Sequence, residues 1–421
     1  MKVLWVVNPI FPDLSVAIGL EKPVVGGWMY GLADDLVKAG IHLTIVTARP
    51  NVTAHHCKIN DIGYYLMKSN TPITDYDPSL EVPWKQIIEV ENPDLVHIHG
   101  TEYAHGLVLM KSLPKLPYVI SIQGLTHVIA RYYMGGIAVG EVLKNITFRD
   151  IIKNSSILAV KKQYRKRGIK VEHDYLRLAK HVIGRTQWDH DHVKVINRSI
   201  MYHFCNESLR DGFYSSRKWN NQIKTDHTIF LSQAGYPLKG MHKVVEAIAL
   251  IKNDFPNIKI RIAGNDILRS IGGFKEKLKR DGYGKYVQKL VKKHKLENHI
   301  EFLGFLNEAQ MIEAYLNCHV FICPSSIENS PNSLGEAQIL GVPCIASYVG
   351  GIPDMVEHGK TGLLYRFSEI ELLSQHIVRV FTNNQLADTL SKNGLDTAAN
   401  RHDRTTNLNQ LTSIYSAILK Q

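Results

Sequence analysis

Two carboxylates, Glu328 and Glu336, bracket a turn whose composition suits an anion. The stretch from His319 to Gly341 reads HVFICPSSIENSPNSLGEAQILG. In it, β-favouring Val320, Phe321 and Ile322 end at Pro324, a polar loop follows, and an apolar period runs from Leu334 to Gly341. This pattern predicts strand, loop, helix. With Asn332 or Ser333 as cap, the first helical turn presents unpaired backbone N–H groups and the positive end of the helix dipole, which suits a phosphate. Carboxylates on either side could bind hydroxyls flanking that phosphate, the layout of a nucleotide sugar. Ser333-x-x-Glu336 also reads as a capping box, in which Glu336 only bonds back to the cap residue. The stretch alone leaves both readings open.

Such a loop needs a sheet beneath it, and the chain supplies two. Strand-like Leu4 to Val7 precedes a loop with Gly26-Gly27, a helical period from Trp28 to Lys38 closed by Gly40, and the strand His42 to Ala48. Glycines ahead of a first helix let backbone approach a ligand closely, or simply make a turn. Leu95 to Gly100, an apolar helix near Ala104 to Ser112, Tyr118 to Gly124 and His181 to Thr186 continue the alternation, so residues 1–205 read as one α/β half. Residues 206–226 are polar and irregular and read as an interdomain connection. Strands at Ile229 to Ala234, Lys259 to Gly264, Ile300 to Phe305, Val320 to Pro324, Cys344 to Val349 and Gly362 to Phe367 make residues 227–400 a second doubly wound half. The tail, about 401–421, has helical spacing at Leu408, Leu411, Ile414, Tyr415 and Ile418 and is expected to pack back on the first half. The carboxyl ends of the strands of such sheets are where ligands bind.

At 421 residues the chain is too long for one ordinary core, and 44 % hydrophobic with 21 % charged residues is the balance of a soluble globular protein. No apolar run approaches the roughly 20 residues that span a membrane, and MKVLWVVNPIF reads as a buried first strand, so a cytoplasmic protein is expected. Five cysteines without a C-x-x-C pair fit reduced, buried thiols. A net charge of +11 implies an anionic partner: nucleic acid, an acidic membrane surface or phosphorylated substrates.

The glycine pair, DLVHIHG (Asp94 to Gly100), GRTQWD (Gly184 to Asp189), PLKG (Pro237 to Gly240), RIAG ending at Gly264, the Glu-x7-Glu from Glu328 to Glu336, and the following GVPCIAS and GGIPD (Gly350 to Asp354) together resemble the retaining glycosyltransferases of family 4. The resemblance covers essentially the whole length, and it implies the GT-B architecture of two Rossmann-like domains around a cleft. ENSPNSLGEA is most similar to members that build bacterial capsular, exopolysaccharide or O-antigen repeats. The resemblance implies that Glu336 binds the ribose of a UDP- or GDP-linked sugar and that Glu328 meets the sugar's hydroxyls. Backbone around Asn332, Ser333 and Leu334, with Gly264, Gly26 and Gly27, would hold the donor. Lys239 would neutralise the leaving phosphate. It further implies a nucleotide sugar as donor substrate with no separate cofactor, and a lipid-linked or oligosaccharide acceptor.

Two departures stand out. The family's Arg shortly before the Lys is replaced by Ser232, Gln233 and Ala234, with Arg185 or Arg261 as possible substitutes. Gln123 stands where the family often has His; an amide can donate a hydrogen bond but takes no proton. Front-face displacement tolerates this, because the leaving phosphate accepts the acceptor's proton. His127 is the reserve candidate. The departures also admit an alternative, a catalytically impaired protein that binds nucleotide sugar or scaffolds polysaccharide assembly.

Other clusters read as structural. Asp75-Tyr76-Asp77 imitates a metal-binding D-x-D but has no strand before it. Asp189-His190-Asp191-His192 reads as a solvated helix start, and His97 and His99 as strand residues sharing one face. No metal site is expected. The run Lys161, Lys162, Arg165, Lys166 and Arg167 around Tyr164, on the acceptor side, suits an anionic membrane surface or a lipid diphosphate, placing the protein at the inner face of the cell membrane. A second basic region, Lys275 to Lys295, reads as helix surface. Without a recognition motif or stacking platform, nucleic acid is not an expected partner.

Overall fold

The computed structural model describes residues 1–21, 27–268 and 280–421. Gly26, Lys275, Lys277 and Lys279 lie outside the described residues. The chain divides into two compact units: Met1–Val128 with Arg165–Arg210 and His402–Gln421, and Ile129–Tyr164 with Asp211–Arg401.

The first unit holds β1 (Lys2–Val6), β2 (His42–Pro50), β3 (His55–Ile59), β4 (Ile62–Ser69), β5 (Leu95–His99), β6 (Tyr118–Ser121), β7 (His181–Gly184) and β8 (Met201–Phe204), in the sheet order β3-β4-β2-β1-β5-β6-β7-β8. Only β3 runs antiparallel, to β4. The four residues after Lys2 in β1 are all buried, the continuous apolar run of a parallel strand covered on both faces. The helix Arg404–Ile418 places Leu411, Ile414, Tyr415 and Ile418 in this core beside Trp5. Trp5 Nε1 donates to the Tyr415 hydroxyl at 3.1 Å, and that hydroxyl lies 2.6 Å from His97 Nδ1, whose Nε2 is 2.6 Å from Ser121 Oγ.

The second unit holds β9 (Thr228–Leu231), β10 (Lys259–Ala263), β11 (Ile300–Gly304), β12 (Val320–Cys323), β13 (Cys344–Ser347) and β14 (Leu363–Tyr365), all parallel, in the order β11-β10-β9-β12-β13-β14. From β9 the chain winds outward to β10 and β11, then returns to β12 and winds the other way. The loops after β9 and β12 therefore flank the point where strand order reverses, the place such sheets open a crevice.

The unit boundary after Val128 and again after Tyr164 falls inside the helices Thr126–Tyr132 and Ile157–Arg167, so residues 129–164 cluster with the second unit although they lie within 1–205. The polar segment 206–226, within which the chain leaves the first unit after Arg210, is held by packing. Phe213 and Trp219 are buried, and Trp219 Nε1 donates to the Cys318 carbonyl at 2.8 Å. The β3–β4 hairpin turns at Asn60-Asp61 without glycine; both residues take positive φ, 50° and 63°, as a tight hairpin turn demands.

Candidate functional site

In the second unit the loop after β9 ends in a single 3-10 turn, Pro237–Lys239, and the loop after β12 carries Glu328. Lys239 Nζ donates to Glu328 Oε1 at 2.6 Å, and Ser325 Oγ donates to the same oxygen at 2.7 Å. Burial favours the neutral amine, yet Glu328 and the Tyr236 hydroxyl outweigh it and raise Lys239, so the ammonium is locked on. The Lys239 ammonium also lies 6.0 Å from the centre of the Tyr236 ring.

The two loops are fastened through backbone. Ser326 N–H donates to the Leu238 carbonyl at 2.8 Å, and Gly351 N–H donates to the Glu328 carbonyl at 3.1 Å. Gly240 (φ +69°) and Gly350 (φ +54°) sit where a Cβ would fall 1.8 Å from the carbonyl oxygens of Pro324 and Glu328 respectively. Only glycine allows both the backbone angle and the approach.

The helix Asn332–Ile339 starts above β12, with Pro331 as cap residue and no side-chain cap bond. Ser333 is thus not the cap residue that a capping box with Glu336 would need. Asn332 and Ser333 are the first two helical residues rather than caps, and Glu336 is a buried residue of the second turn. The Tyr315 hydroxyl donates to the Ser333 carbonyl at 2.9 Å and fixes the first turn, in which the Leu334 N–H, expected to meet the donor, turns back to the Pro331 carbonyl at 3.0 Å. Gly264 (φ +104°) ends β10, its N–H donating to the Gly304 carbonyl at 2.7 Å.

A signal no motif carried is the segment that opens the second unit. Ser326 Oγ donates to the Tyr132 carbonyl at 2.9 Å, and His242 Nε2 donates to the Gly135 carbonyl at 2.7 Å. Tyr133 stacks nearly parallel to Tyr236, ring centres 6.4 Å apart. Residues 132–135 therefore wall the Lys239 loop.

Residues 215–397, which contain Lys239, Glu328 and Glu336, match the family described as Glycosyl transferases group 1. They form a group 1 glycosyltransferase domain. Among relatives, the capsular polysaccharide biosynthesis glycosyltransferase CapM of Staphylococcus aureus is 30 % identical over 110 residues, 26 % of this chain and 29 % of CapM. The first curated relatives are matched over only 27 % to 32 % of their own length. Among solved structures, sucrose-phosphate synthase from Thermosynechococcus elongatus aligns over 100 % of this chain and 99 % of its own at 17 % identity, TM-score 0.73. Anabaena HepE, solved with UDP and glucose, aligns over 99 % of both chains at 17 % identity, TM-score 0.64. At such identity the likeness establishes the fold, which is GT-B.

Of the remaining candidates, Gln123, Arg185, Gly27 and His127 lie in the first unit and Arg261 in the second. Gln123 Nε2 donates to Glu207 Oε1 at 2.7 Å, and Glu207 is ion-paired with buried Arg185. Arg261 pairs with Glu301 at 3.0 Å. Each of the two arginines considered for the phosphate is thus held by a carboxylate. Gly27 begins the helix Gly27–Lys38, where a Cβ would meet the Arg210 side chain at 2.8 Å. His127 pairs through Nδ1 with buried Glu172, which also accepts from the N–H groups of Thr126 and His127 and from Thr101 Oγ1. Glu172 therefore anchors the start of helix Thr126–Tyr132. The ligand atoms of His127, Glu172 and His173 lie within 4.8 Å of one another, but the glutamate's oxygens are already engaged.

The start of helix Gln187–Ile196 is not simply solvated. Asp189 is fully buried, accepting from Arg185 N–H and the Tyr202 hydroxyl. Asp77 is likewise engaged by Ser69 Oγ, Asn70 N–H and Ser79 N–H. His97 is a core residue: burial, then His99, holds its pKa well below the usual range and the ring neutral. The cationic run sits on the helix Ile157–Arg167, with Lys161 at Met134 Sδ and Lys166 near Asp75; Lys161 and Lys162 fall in the second unit, not the first. No helix among the described residues is long and apolar enough to cross a membrane.

Proposed function

We propose that this protein is a retaining glycosyltransferase that moves a sugar from a UDP- or GDP-linked donor to a lipid-linked or oligosaccharide acceptor in bacterial surface polysaccharide synthesis, working at the inner face of the membrane. The observation that carries it is the Lys239–Glu328 pair beside the start of helix Asn332–Ile339, inside a group 1 glycosyltransferase domain. CapM's name, capsular polysaccharide biosynthesis glycosyltransferase, and HepE's complex with UDP and glucose support the substrate class.

In the proposed reaction the diphosphate takes the first-turn N–H groups and the Lys239 ammonium, Glu336 takes the ribose, and Glu328, released from Lys239, takes a hydroxyl of the donor sugar. The bond from the anomeric carbon to the phosphate oxygen breaks while the acceptor oxygen bonds to the same face. The acceptor's proton passes to the departing phosphate. Lys239 stabilises the charge that develops there, and no divalent cation is required for that step. Gln123 orients substrate through its amide without taking a proton.

Incubation with labelled UDP- and GDP-sugars and a lipid extract, with and without EDTA, tests the reading. Transfer that survives EDTA and is lost in Glu336→Ala and Lys239→Ala is the expected result; full transfer by both variants contradicts it. The held arginines favour one second reading, a protein that binds nucleotide sugar without turnover, and any transfer or hydrolysis excludes that.

A further inference from the structure

Two short helices of the second unit, Val139–Lys144 and Phe148–Ile152, turn apolar side chains into water. Val139 and Leu143 are 52 % and 54 % exposed, Phe148 60 %, Ile151 70 % and Ile152 66 %. The spacings i,i+4 in the first helix and i,i+3,i+4 in the second put each set on one face. The scaffold beneath is ordered. Thr147 and Asp150 form a reciprocal cap, and the buried Asn145 side chain donates to the Glu141 carbonyl at 2.7 Å. Five large apolar side chains held in solvent on two capped helices mark an interaction surface.

The surroundings identify the partner. Helix Gly282–Lys293 packs beside the first of these helices, Lys285 Nζ donating to the Lys144 carbonyl at 3.4 Å and Gly282 lying where a Cβ would touch the Asn145 carbonyl at 3.0 Å. Lys153, Lys289, Lys292 and Lys293 are exposed. The nearby acids are occupied: Glu141 is paired with Lys144, Asp281 with Arg149, and Asp150 is buried in the cap. The charge left around the apolar faces is positive.

We propose that this face docks on an anionic bilayer, with Val139, Leu143, Phe148, Ile151 and Ile152 entering the interface and the flanking lysines meeting phosphate headgroups. It gives Lys285 and Lys289, of the second basic region, a role beyond helix surface. It deepens the reading above, resting on it only in that a lipid-linked acceptor is met at a membrane.

The test is co-sedimentation of the full chain with phosphatidylcholine vesicles and with vesicles containing phosphatidylglycerol. The wild type is expected to bind the anionic vesicles, the triple variant Phe148→Ser, Ile151→Ser, Ile152→Ser to bind roughly tenfold or more weakly, and Lys285→Glu, Lys289→Glu to lose the preference for anionic lipid. A nucleotide-induced rise in melting temperature, retained in all variants, shows that they are folded and reports separately on the donor reading. Unchanged sedimentation of the triple variant, equal binding of the wild type to both vesicles, or no binding to either overturns the proposal. So does a dimer in solution that only the triple variant dissolves, which would make the face a contact between copies.

Discussion

Gly350 lies against the backbone of Glu328 so closely that a Cβ on it would fall 1.8 Å from the Glu328 carbonyl oxygen, while Gly351 N–H bonds that same oxygen at 3.1 Å. The loop after β13 thus sets the height of the carboxylate loop from below. Gly350→Ala must adopt a left-handed backbone, at about 1–2 kcal/mol, and push Glu328 aside as well. We expect a stability loss of about 3 kcal/mol or more in urea unfolding and loss of nucleotide binding out of proportion to it.

Lys239→Met leaves Glu328, 14 % exposed at its side chain, without its ammonium partner but still bonded by the Ser325 hydroxyl. Removing one member of a largely buried pair strands the other, and the remaining bond softens the cost to about 1–3 kcal/mol. The double variant Lys239→Met, Glu328→Gln should recover part of it. Chemical denaturation of the two variants checks the difference.

Glu102 titrates in the wrong range for a surface carboxylate. Burial, with the Glu172 carboxylate nearby and against bonds from its own and Gly124's backbone, pushes it up to about 7. The unfolded carboxyl loses its proton near 4.5, so above that pH the unfolded chain holds fewer protons than the folded one. This group's contribution to stability therefore falls as pH rises from about 4.5 to 7 and stays lost above. Glu102→Gln should gain stability relative to wild type by up to about 3 kcal/mol at pH 8 and by much less at pH 5, read from urea midpoints.

Tyr415 ties the tail helix to the first unit through Trp5 and His97. Tyr415→Phe leaves both of those buried groups short of a partner and should cost about 1–3 kcal/mol in thermal or urea unfolding.

Much of this was legible in the residues. Apart from β3, β4 and β8, the strands of both sheets read as short apolar runs; Glu328 and Glu336 could be named from a strand-loop-helix pattern, and Lys239 from the family resemblance. The capping box failed for a local reason: Pro331 takes the cap position and shifts Ser333 into the helix. Residues 132–135 were not legible at the site, since two of their contacts there run through the carbonyls of Tyr132 and Gly135, which any residue would supply. The burial of Asp189 depends on Tyr202, outside the helix in which the acid was read. The boundaries after Val128 and Tyr164 fall within continuous helices, where no proline or glycine marks them, whereas those after Arg210 and Arg401 lie where the polar segment and the tail were legible.

The most direct test is the melting temperature of the wild type, Glu336→Ala and Lys239→Ala with UDP, GDP and their sugars. A ligand that binds only the folded chain adds about 2.7 kcal/mol at a hundredfold excess over its dissociation constant. We expect at least one nucleotide to raise the wild-type midpoint and neither variant to respond, although both melt cooperatively without ligand. Equal shifts in all three proteins, or no shift of the wild type with any of these ligands, would contradict a nucleotide-sugar site at Lys239, Glu328 and Glu336.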